Sequence, residues 1–251
     1  MELLIAQYQL YQWFVLALVA LLIGMTKTGI SGLGLMVVPL LAFAFDARPS
    51  TGVLLPMLIM ADVYAVIHYH RSADWKHIIR LMPWAIIGIL AGVLTGNYIS
   101  DKGFRLVLAV MVITGIAIMV IRDFVVRSKE IPVSRTFAAI LGLAGGFASM
   151  VANAAGPVFA VYLLAMRLPK NAYIGTGAWF FFIINLVKLP MHVFIWETID
   201  LKVVLTDFLV LPLILAGAWL GVRAVRLMSE RFYRILVIIM TLMSATFLLL
   251  K

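Results

Sequence analysis

Along this chain, apolar positions gather into long runs separated by short polar punctuation. Residues 50–68, Ile78–Ile99, Phe104–Ile121, Ile174–Trp196, Leu201–Val222 and Phe232–Leu250 each form one such run. At 1.5 Å per helical residue, about 20 residues cross a hydrocarbon core of roughly 30 Å. A transmembrane barrel would instead need alternating segments of about ten residues, and stretches such as Leu106–Ile121 and Ile235–Leu250 are apolar on every face. The pattern predicts an all-α polytopic membrane protein.

Two further regions, Tyr11–Phe43 and Thr136–Met166, are longer than one span and are interrupted midway by small and polar residues. The interruptions read GMTKTGISGLG over Gly24–Gly34 and GGFASMVANAAGP over Gly145–Pro157. Non-helical backbone at membrane depth is tolerated only where protein covers it or it lines a watery cavity. One break in each half of the chain therefore marks a candidate site.

An ordered series of matches relates the halves. Pro83, Gly88 and Gly92 correspond to Pro212, Gly217 and Gly221, and Phe104-Arg105 to Tyr233-Arg234. Asp74-Trp75-Lys76 corresponds to Asp200-Leu201-Lys202 and Thr51-Gly52 to Thr176-Gly177, while Asp62 falls near Asn185. The expected organisation is one integral membrane domain over residues 1–251, with repeat halves 10–123 and 134–251 of about four segments each.

Composition supports lipid as the solvent: 65% of the 251 residues are apolar and 12% charged, too little polar surface to coat a soluble domain of that size. The net charge of +9 is carried mainly by short loops, where membrane topology and lipid headgroups account for it, so nucleic acid is not an expected partner. There is no cysteine, which removes thiolate nucleophiles and Cys-ligated metals. No basic residue precedes Lys27, so a cleaved leader is not expected.

Loop charge sharpens the topology. Simple alternation of eight spans divides the loop Lys and Arg nine against nine, contrary to their usual cytoplasmic excess. If the two interrupted regions are re-entrant hairpins that leave on the side they entered, the loops carrying Arg71, Arg122, Arg167 and Arg223 all become cytoplasmic. Both termini then lie outside and the halves are inverted copies, a design common among secondary transporters.

The first break offers Lys27 together with Thr26, Thr28, Gly29, Ser31 and Gly32: a cation, hydroxyl donors and open backbone. Helix N-termini and glycine backbone suit an anion. In the second break Asn153 and Gly156, with Ser149, supply neutral donors. Asn185 and Lys188 share one face of an otherwise apolar helix, so Lys188 is expected to complement the anion. Asp62 is expected to pair with Lys27 or Lys188, or to carry a coupling proton. His68, His70, His77 and His192 lie near span ends without carboxylate pairing, which suggests interface residues and no metal site.

These breaks and the repeat resemble the sulfite exporter TauE/SafE family, over essentially the whole chain. The resemblance rests on Gly24-x-x-Lys27-x-Gly29-x-x-Gly32-x-Gly34 followed by Pro39, on Thr51-Gly52, on the Asp74-Trp75-Lys76 turn and on the Pro83/Gly88/Gly92 helix, with their second-half counterparts. Their order carries it. Many members have a GGGG form of the first break where this chain has Lys-Thr-Gly-Ile-Ser-Gly. The resemblance implies transport of sulfite, sulfoacetate or related organosulfonates across the bacterial inner membrane, without a cofactor or ATP-binding subunit.

The expected function is thus a secondary transporter, an exporter of a small anion by alternating access around a midplane site between the two broken helices. An anion channel is the alternative. A membrane-embedded enzyme is less favoured, because no Ser/His/Asp set or HExxH pattern is present. A small anion and the bilayer are the expected partners; a homodimer stays open, since a dimer interface and a lipid-facing surface look alike in apolar helices.

Overall fold

The computed structural model describes residues 8–30, 33–45, 47–95 and 135–250, and every regular element among them is helical. The helices are α1 (Leu10–Lys27), α2 (Gly34–Phe45), α3 (Ala47–Tyr69), α4 (Trp75–Thr95), α5 (Arg135–Ala152), α6 (Ala155–Ala165), α7 (Lys170–Phe194), α8 (Leu201–Leu227) and α9 (Glu230–Leu250). Five of them, α1, α3, α4, α7 and α8, are long and apolar enough to cross a membrane. The chain is a multi-pass helical membrane protein. The expected span Phe104–Ile121 and the repeat boundaries at 123 and 134 lie outside the described residues.

Local signals set the helix ends. Asp200 caps α8 by accepting from the Val203 N–H at 2.8 Å. At the corresponding turn before α4, Asp74 Oδ1 accepts from the Lys76 N–H at 3.0 Å. Lys27 ends α1, and the last carbonyls of that helix accept from the Thr28 hydroxyl and from the Gly29 and Ile30 N–H groups. Both interrupted regions contain a helix end, at Lys27 and at Ala152, followed by a second, shorter helix.

The chain forms two compact units, one drawn from Met1–His70 and Phe181–Met228 and the other from Arg71–Phe180 and Ser229–Lys251. In the first, α1 and α8 cross in close contact. A methyl group added at Gly24 would run into the Ile214 carbonyl, and one at Gly217 into the Leu21 carbonyl. Further along, Gly221 meets Met25 and Thr28, so α1 and α8 run in the same direction. Small residues permit this approach, and dispersion across the contact holds it where lipid offers no hydrophobic drive. Helix α2 turns back: Gln12 Nε2, in the first turn of α1, donates to the Ala44 carbonyl at 2.8 Å, and Tyr8 meets Phe45 edge-on. Leu16, Ile23, Leu41, Met57 and Ile214 fill the core between these helices.

In the second unit, α4 and α5 are likewise in close contact. Gly88 of α4 lies against Leu143 and Phe147 of α5, Gly146 against Ala85, and Gly92 against Met150. Together with Gly142 against Leu81, these contacts make α4 and α5 run in the same direction. Helix α6 turns back, placing the hydroxyl of Tyr162 3.0 Å from His77 Nδ1 near the start of α4. At the same end the Asp74 N–H donates to Thr176 Oγ1 at 2.9 Å, and the Trp75 and Trp179 rings pack at 5.1 Å.

Candidate functional site

The first break opens onto the interior of the first unit. Lys27 Nζ lies 2.7 Å from Asp62 Oδ1, with Asp62 fully buried and the lysine side chain 9% exposed. Asn185 Nδ2 donates to the other carboxylate oxygen, Oδ2, also at 2.7 Å. The Phe181 ring sits under the ammonium, 4.6 Å from its centre, adding a cation–π contact. Three separate helices, α1, α3 and α7, thus converge on one carboxylate.

Helix α7 supplies a polar column at i, i+3 and i+4 spacing. Asn185 is followed by Lys188 and then His192, both with no exposed surface. Lys188 lies within electrostatic reach of both Lys27 and Asp62. His192 Nδ1 is 2.8 Å from Thr198 Oγ1, and its ring meets Trp196 edge-on. Its Nε2 has no hydrogen-bond partner among the described residues. His77 is buried as well, while His68 and His70 are exposed. His192 and His77 are thus packed inside the protein, where an imidazole buries readily once a neighbouring hydroxyl meets one ring nitrogen. No group of three or more metal-ligating side chains occurs among the described residues.

The remaining first-break residues divide by role. Thr28 is fully buried and its hydroxyl donates to the Gly24 carbonyl at 2.9 Å, finishing α1. Gly29 then takes φ 129°, a conformation that any side chain would strain. The Thr26 hydroxyl is buried without a hydrogen-bond partner among the described residues. Ser31 and Gly32 lie outside the described residues.

The second break belongs to the other unit. Asn153 adopts φ 51° and its N–H donates to the Ser149 carbonyl at 3.1 Å. Asparagine tolerates this left-handed backbone, so Asn153 terminates α5, a structural job independent of any ligand. Gly156, in the first turn of α6, is exposed, and a Cβ there would meet nothing within 4 Å. No side chain caps this helix start.

One buried polar group escapes the sequence-derived set. Asp207 of α8 is completely buried, and neither carboxyl oxygen has a hydrogen-bond partner among the described residues. Its signal was visible as a single acid in VVLTDFLVLPLI.

The model of a family described as sulfite exporter TauE/SafE matches residues 16–248. The chain belongs to the sulfite exporter TauE/SafE family. No curated protein and no solved structure shows a significant match. Membership places this helical membrane chain in a transporter family, and the TauE/SafE match spans both breaks and the whole Lys27, Asp62, Asn185, Lys188 cluster.

Proposed function

We propose that the chain exports a small oxyanion of the sulfite and organosulfonate class across the bacterial inner membrane by alternating access, with Lys27 and Lys188 as the cationic ligands. The observation that carries this reading is the Lys27–Asp62 pair at the end of a helix that stops inside the bundle. Two lysines face one carboxylate in a region where an unmatched charge is expensive. An arriving anion competes with Asp62 for these cationic groups. It exchanges with Asp62 for the Lys27 ammonium, while Asn185 keeps the displaced carboxylate hydrogen-bonded. Thr26, Gly29 and the break residues Ser31 and Gly32 supply further donors, and Asn153 and Gly156 are the corresponding donors of the second break.

Inverted, re-entrant halves supply the moving parts. The contacts Gln12 to Ala44 and Phe137 to Tyr162 support this, since each brings the end of a second half-helix back to where the first began. So does the pairing of helices: α1 with α8 through Gly24 and Gly217 matches α5 with α4 through Gly146 and Gly88, in the order the repeat requires.

Flux into proteoliposomes tests the reading, with sulfite, sulfoacetate, sulfate and a carboxylate as substrates. Saturable flux of a sulfur oxyanion is expected, and Lys27→Gln and Lys188→Gln should each weaken apparent affinity about tenfold, or roughly 1.4 kcal/mol, without preventing insertion. Absence of anion flux under any gradient overturns the transport reading, ohmic current points to a channel, and normal affinity in both variants removes the proposed site.

A further inference from the structure

Away from the buried cluster, the second unit carries a cavity of about 480 Å³ where the loop between α6 and α7 meets the start of α9. Four basic side chains line it, Arg167, Lys170, Arg231 and Arg234, with one carboxylate, Glu230. That carboxylate has a task of its own: Glu230 Oε2 accepts from the Lys170 N–H at 2.7 Å and so caps the start of α7. Cationic groups therefore outnumber the anionic one by three, and the cavity wall between them is apolar, formed by Leu163, Leu164, Leu168 and Pro169.

Helix α9 continues from the cavity with exposed apolar side chains. Arg231, Ile235 and Ile239 follow at i, i+4 and i+8 and share one face. Arg231 is exposed at the cavity, and Ile235 and Ile239 are 45% and 49% exposed below it. A cationic pocket standing at the head of an exposed apolar column matches an amphiphile with a phosphate at one end and alkyl chains at the other. A small soluble anion would use the basic groups but leave the apolar column bare.

We propose that this cavity binds the phosphate headgroup of an anionic phospholipid, with its acyl chains laid along Ile235 and Ile239 of α9. Arginine serves the headgroup through bidentate hydrogen bonds to phosphate oxygens, and basic residues near a membrane surface attract anionic lipid at about 1 kcal/mol each. The site shares no residue with the proposed transport site and stands whether or not the chain moves sulfite.

The test is native mass spectrometry of the full chain in detergent, titrated with phosphatidylglycerol, phosphatidylcholine and soluble glycerol phosphate. Wild type is expected to retain phosphatidylglycerol in preference to phosphatidylcholine. The R231Q/R234Q variant should lose about thirtyfold in phosphatidylglycerol affinity, roughly fivefold per charge, whereas K76Q/K202Q, which removes equal charge elsewhere, should bind as wild type does. Should the double variant fail to fold, R231Q alone, at an exposed side chain, is expected to show the fivefold loss. Equal phosphatidylglycerol binding by variant and wild type overturns the proposal. Glycerol phosphate binding as tightly as the lipid overturns the lipid assignment in favour of a soluble phosphate ester.

Discussion

Lys27 and Asp62 stand 2.7 Å apart inside the helix bundle, and the second oxygen of Asp62 is engaged by Asn185. Such a pair is defined by what its loss exposes. Removing either partner leaves the other charge buried and unmatched, typically at 3–5 kcal/mol, although the intact pair contributes little net stability. Asp62→Ala should therefore lower the melting temperature of the detergent-solubilised protein strongly, and Asp62→Ala combined with Lys27→Met should recover most of that loss. A thermal-shift double-mutant cycle checks this; additive losses would mean that the two side chains are not coupled.

Much of this cluster was legible before any coordinates, and the reason is energetic. A charged or amide side chain in an apolar run is so unfavourable that it must find a partner, so Lys27, Asp62, Asn185 and Lys188 advertise one another. Which oxygen meets which donor was not legible, because that depends on how α1, α3 and α7 meet. Asn153 shows the opposite limit. Its residue type suits both an anion ligand and a left-handed helix cap, and only the backbone angle of 51° reveals the second role. The partner of His192 was hidden for a related reason: position near a span end says nothing about whether a hydroxyl such as that of Thr198 waits for it inside.

Glycines of similar appearance in the sequence should respond differently to alanine. Gly24 and Gly217 sit where helix backbones touch, and an added methyl would overlap a carbonyl oxygen of the opposing helix. Gly24→Ala and Gly217→Ala should each destabilise by about 1–3 kcal/mol, as overpacking does. Gly156 has open space around it, and alanine in its helical turn should be neutral or stabilising by about 0.4–1 kcal/mol. Melting temperatures in one detergent separate the two classes. Reduced anion flux by a fully stable Gly156→Ala protein would indicate close backbone approach of the substrate.

Topology can be read out directly because the chain contains no cysteine. The hydrogen bond from Asp74 to Thr176 and the Trp75–Trp179 contact put the Arg71 loop beside the start of α7, which follows Arg167. Simple alternation would put those two loops on opposite faces of the membrane. Single cysteines at Ser72 and Asn171 should therefore react alike with a membrane-impermeant maleimide, only after permeabilisation if the basic loops are cytoplasmic. A cysteine at Lys202, in the first turn of α8 and so beyond the far end of α7, should label in intact cells. Opposite labelling of Ser72→Cys and Asn171→Cys would exclude re-entrant hairpins.

Asp207 offers the sharpest test of whether an unpartnered buried group serves function or merely persists. Its carboxyl is fully buried in α8, with no hydrogen-bond partner for either oxygen among the described residues. A buried polar group without a partner forfeits about 1–3 kcal/mol relative to one that is satisfied, and more if it is charged. Leucine has similar bulk and no such penalty, so Asp207→Leu should raise the melting temperature by several degrees, whereas Asp207→Asn, which leaves polar atoms in the same place, should not. The flux assay then gives the gain its meaning. A stabilised Asp207→Leu protein that still transports would mark the acid as incidental; one that is stabilised yet loses proton-dependent flux would show that this position trades stability for carrying a proton.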